Sequence, residues 1–81
     1  MPVTHEAKAV ASRLAAAVAS AGWTQNDVGQ VLGRSQAQVS KRLNGHVPLR
    51  ATEVTAIVQA LRAAGHDVDL VAVFSGEPAA A

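Results

Sequence analysis

The sequence predicts an all-α domain of four short helices, followed by a short C-terminal β-strand or a fifth helix. Three observations carry that expectation. Two helix-capping signals, at Thr24 and Ser35, leave room between them for one short helix and a tight turn. Apolar residues recur at helical spacing on either side of this pair, as Val10, Leu14 and Val18 and as Val54, Ile57, Val58 and Leu61. Glycine stands where each helix has to stop, at Gly22, Gly33, Gly45 and Gly65.

Residues 1–3 are expected to form a flexible N-terminus, with Thr4 capping the first helix. That helix is predicted over about 4–21. Its apolar stripe of Val10, Leu14 and Val18 is flanked by Ala7, Ala11, Ala17 and Ala21, whereas Lys8 and Arg13 lie off the stripe as surface charges. Trp23, the only tryptophan, precedes the cap Thr24 and is placed to pack on Val28 as a hydrophobic staple.

Thr24 stands three residues before Asp27, and Ser35 three before Gln38, so each pair can close a capping box. In the second helix Val28, Val31 and Leu32 fall on one predicted apolar face. Gly33 then leaves the helix with positive φ. The third helix, 35–44, has only Val39 and Leu43 to bury, so Gln36, Ala37, Gln38, Ser40, Lys41 and Arg42 remain for its free circumference. No acid occurs between Val28 and Thr52, where Arg34, Lys41, Arg42 and Arg50 all lie. A chain of formal net charge +1 thus concentrates four positive charges in one window, an electrostatic footprint for phosphate.

From about Leu14 to Leu61 the chain resembles a lambda-repressor-like, Cro-type helix-turn-helix DNA-binding domain. The matching features are Thr24-Gln25 opening the second helix, Gly29 four residues on, Gly33 at the turn, Val39 in the third helix and Asn44-Gly45 closing it. Position 29 is usually Ala in that family, and position 42, commonly apolar there, is Arg here. The resemblance implies double-stranded DNA as partner, with the third helix in the major groove, where base edges present distinct donor and acceptor patterns. Ser35, Gln36, Ala37, Gln38, Ser40 and Lys41 are the expected base readers. Gln36 leads them because Gln can bond N6 and N7 of adenine. It also implies that Gln25 and Asn44 contact the DNA backbone. Thr24, Arg34, Arg42, His46 and Arg50 join them as expected phosphate contacts through helix N-termini and charge.

His46 to Leu49 form a connector in which Pro48 blocks helix continuation. The fourth helix is predicted over about 50–64. Beyond it, Val68, Leu70, Ala72 and Phe74 alternate with Asp67, Asp69, Val71 and Val73, which favours a strand over 67–74, with a fifth helix as the alternative. A lone strand needs a partner, and the same strand of a second subunit supplies one. Val68, Leu70, Val71, Val73 and Phe74 are therefore the expected dimerisation residues, within a segment 66–75. Residues 76–81 are expected to be a disordered tail.

Composition sets the outer bounds. Eighty-one residues make one domain, burying about 60–65% of their extended surface, and eighteen of the apolar residues are Ala. There is no Cys, and His5, His46 and His66 show no metal-ligand spacing, so neither a metal nor another cofactor is expected. No apolar run is long enough to span a membrane and no secretion signal is visible, so a cytoplasmic location is expected. No sensor segment suggests a small-molecule ligand. Nothing resembles a nucleophile triad or a carboxylate pair, which argues against an enzyme. The leading expectation is a transcriptional repressor of phage or bacterial type, acting as a homodimer. The alternatives are an antitoxin that binds DNA and a toxin, and a protein-interaction module without DNA binding.

Overall fold

A computed structural model of the chain describes the backbone of residues 5–75 and the side chains of residues 8–75. The expected flexible N-terminus, the Thr4 cap and the expected disordered tail lie outside these residues. Five helices follow in order: α1 His5–Ser20, α2 Gln25–Leu32, α3 Gln36–Leu43, α4 Ala51–Ala63 and α5 Leu70–Ser75. Among the described residues there is no strand, and no helix is long and apolar enough to cross a membrane.

The starts of α2 and α3 are fixed by side chains, as the capping signals require. Thr24 Oγ1 accepts from the Asp27 amide at 3.2 Å while Asp27 Oδ2 accepts from the Thr24 amide at 2.7 Å. Ser35 Oγ accepts from the Gln38 amide at 3.2 Å, and Gln38 Oε1 from the Ser35 amide at 3.0 Å. Each box satisfies two amides that the helix itself cannot. Between them Gly33 turns the chain at φ +67°, and the Arg34 amide reaches back 2.9 Å to the Gly29 carbonyl.

The core is built from one stripe per helix. Leu14 and Val18 of α1, Val28 of α2, Val39 and Leu43 of α3, and Val54, Ile57, Val58 and Leu61 of α4 are all buried, with Val73 of α5 beside them. Val10, Trp23, Leu32 and Leu49 pack against this cluster. One expected member departs. Val31 is 37% exposed, because α2 turns Val28 inward and carries Val31 past the edge of its buried face.

The segment 67–74 holds no strand; its helical part is α5, Leu70–Ser75, which departs from the favoured strand and matches the fifth-helix alternative. Asp69 starts it, its Oδ1 accepting from the Val71 amide at 2.9 Å, and its carbonyl accepts from the Val73 amide at 3.1 Å. Arg13 closes the other end: Nε donates to the Val73 carbonyl at 2.8 Å and Nη2 to the Phe74 carbonyl at 3.0 Å. A six-residue helix is too short to hold itself in water. Capping at both ends and the burial of Val73 supply what length does not.

Candidate nucleic-acid interface

The exposed side of α3 is the polar surface that these helices present together. Val39 and Leu43 hold the helix down, and Gln36, Ala37, Gln38 and Lys41 are exposed along it, with Ser40 half-buried. The face beneath is occupied by α2 and α1, so α3 is supported from behind by two helices and free in front.

The hydrogen bonds divide the candidate base readers. Gln36, Ala37 and Lys41 have side chains engaged in no hydrogen bond or ion pair among the described residues, so their polar and methyl groups are available to a ligand. Ser35 and Gln38 are tied to each other by the capping box, and Gln38 keeps only its amide N–H donors free. Ser40 Oγ accepts from Asn44 Nδ2 at 3.1 Å, which fixes both side chains at the end of the helix.

The candidate phosphate contacts divide too. Gln25 is half-buried at the start of α2, and His46 and Arg50 are exposed beyond α3. The Thr24 hydroxyl lies 3.0 Å from Asp27 Oδ2, so its proton points at a carboxylate within its own cap. Arg34 and Arg42 both turn toward Glu53 of α4. Arg34 Nε donates to Glu53 Oε2 at 2.8 Å, and Arg42 Nε lies 3.4 Å from the same oxygen. The Arg42 side chain is only 14% exposed, and its Nη1 donates to the Gln38 carbonyl at 2.9 Å. It therefore belongs to the packing of α3 on the bundle, whereas a phosphate contact would need it in solvent.

Glu53 is the residue that sequence reasoning passed over. It is 8% exposed, and Oε1 accepts from the Arg50 amide at 3.0 Å while Oε2 takes the two arginines. Burial pushes its carboxyl up, but the Arg50 amide, the Arg34 hydrogen bond and the two arginine charges together outweigh that and hold it below its ordinary 4.5. The signal lay in its position: it is the first acid after the acid-free window, three residues past Arg50, where a capping side chain reaches back.

Lys8 is exposed, as its place off the α1 stripe predicts, but its stem lies on the turn that ends α3. A Cβ built on Gly45, whose φ is +79°, would stand 3.0 Å from Lys8 Cγ. Glycine there lets α1 approach the end of α3. Of the expected dimerisation residues, Val73 is in the core and Val68 and Leu70 pack against it. Only Val71, 60% exposed, and Phe74, 37% exposed, face outward.

Two short capped helices joined at a left-handed glycine, the second with its polar side open, are the arrangement that defines helix-turn-helix proteins. The chain belongs to the helix-turn-helix domain family, whose model matches residues 9–71. No curated protein and no solved structure shows significant similarity to it.

Proposed function

We propose that this chain is a sequence-specific, double-stranded DNA-binding transcriptional regulator, a small repressor of Cro type that lays α3 in the major groove. The carrying observation is the open face of α3, where Gln36, Ala37 and Lys41 are exposed and have no hydrogen-bond or ion-pair partner among the described residues. Gln36 suits adenine N6 and N7, the Ala37 methyl suits a thymine methyl, and Lys41 suits guanine O6 or N7. Ser35, Gln38 and Ser40, with one hydrogen-bonding group each committed to the fold, play the smaller part. Gln25, Asn44, His46 and Arg50 flank this face and serve the phosphates. The exposed Val71 and Phe74 of α5 offer an apolar seam to a second copy of the chain, which would match an inverted repeat.

The test is sedimentation of the protein with a random duplex pool across a salt series, followed by sequencing of what it retains. A common inverted-repeat sequence, held by a dimer with affinity falling steeply in salt, supports the reading. A protein that retains no duplex at low salt sinks it, and a protein partner becomes the object of the search.

A further inference from the structure

We propose that Glu53 is the positioning residue of the interface: it fixes α3 against α4 and keeps the Arg34 and Arg42 charges off the DNA. Discrimination between sequences then rests on base contacts and is not diluted by two further positive charges. The inference rests on the DNA-reading role proposed above.

One carboxylate joins three parts of the chain. Through Oε2 it holds Arg34, in the turn before α3, and Arg42, in the last turn of α3. Through Oε1 it accepts from the Arg50 amide at the start of α4. The backbone of α3 packs chiefly on α2 and α1, so this carboxylate is the polar link that ties both ends of α3 to α4. Among the described residues it is also the only counter-ion of these two guanidinium groups. Arg42 Nε is fully buried and has no hydrogen bond, so the nearby carboxylate charge is what makes its burial tolerable.

Remove that charge and both arginines are left facing each other without an anion between them. A buried, unpaired guanidinium turns to solvent wherever it can. Arg34 is already one-third exposed beside the α3 cap. Arg42 runs along the flank of exposed Gln38, to whose carbonyl it is bonded, so its way out leads onto the face of α3. Each guanidinium that reaches a phosphate steepens the dependence of log affinity on log salt by about 0.9, for any sequence. At the same time α3 loses its tie to α4, and the aim of Gln36 and Lys41 at base edges loosens.

The decisive variant is Glu53→Gln, which keeps the shape and removes the charge. Wild type and variant are compared on the duplex that wild type selects from a random pool and on an unrelated duplex of equal length, across a salt series. The expected result is tighter binding of the unrelated duplex, a salt slope steeper by about 1–2, and a specific-to-unrelated ratio at least tenfold lower. A folded variant with an unchanged ratio and slope overturns the inference and leaves Glu53 as a packing residue only. Should Glu53→Gln fail to fold, the double variant Glu53→Gln with Arg42→Met removes both buried charges at similar volume. There the freed Arg34 should steepen the slope by about 0.9, and an unchanged slope overturns the inference. A wild-type chain that selects no duplex overturns the proposed function and this inference with it, whereas an unchanged ratio in the variant overturns this inference alone.

Discussion

Gly29 and Arg34 meet backbone to backbone across the turn between α2 and α3. The Arg34 amide donates to the Gly29 carbonyl at 2.9 Å, and a Cβ at position 29 would lie 2.6 Å from the Arg34 carbonyl oxygen. The contact is with backbone on one side and a packed helix on the other, so neither partner can give way cheaply. Gly29→Ala should therefore destabilise the fold by about 1–2 kcal/mol, although Ala is the better helix former by about 1 kcal/mol. Chemical denaturation measures it; a stabilised variant would show that the turn relaxes freely.

Arg13 does for α5 what a capping residue does for a longer helix. Arg13→Ala removes two charge-assisted bonds to the last carbonyls of α5 and should cost on the order of 1–2 kcal/mol. The loss should be local. Amide exchange should accelerate across 71–75 and stay slow in α4; uniform acceleration would mean that α5 and the bundle open as one unit.

Arg42 and Arg50 look equivalent in sequence and are not. Arg42→Ala leaves a hole beside Glu53 and should lower stability by roughly 1–3 kcal/mol without changing the salt dependence of DNA binding. Arg50→Ala, at an exposed site, should leave the melting temperature nearly unchanged and flatten the salt slope by about 0.9. Thermal melts and a salt titration on both variants separate the two roles, and a flattened slope in Arg42→Ala would return that side chain to the DNA.

The acid limb of stability should carry the signature of Glu53. Its carboxyl is held below its ordinary 4.5 in the folded chain, so the stability it contributes is present above pH 4.5 and disappears as the pH falls through the lower, folded value. In Glu53→Gln the decline in stability as the pH falls below 4.5 should be shallower than in wild type. An identical decline would mean that the carboxylate and its two arginines are uncoupled in solution.

Much of the fold is legible in the sequence because it is written in local signals. The two capping boxes and the α4 stripe depend only on residues three and four apart, and the structure reproduces them. The segment 67–74 was ambiguous because apolar residues occupy nearly every position from Val68 to Phe74, so period two and helical spacing both fit. What decides it is Arg13, sixty residues away, which no local pattern reveals. The window between Val28 and Thr52 is plainly basic in the sequence, but net charge does not say which arginines face water. Glu53, just outside that window, takes two of them inward.

The proposed reading face of α3 is tested most directly by Gln36→Ala on the selected duplex and its single-base variants, with binding to an unrelated duplex as reference. If Gln36 reads a base, the variant should lose roughly 1–3 kcal/mol of discrimination at one position and keep its affinity for unrelated DNA. Equal losses on every duplex would contradict it, and α3 would then be a docking surface that does not read sequence.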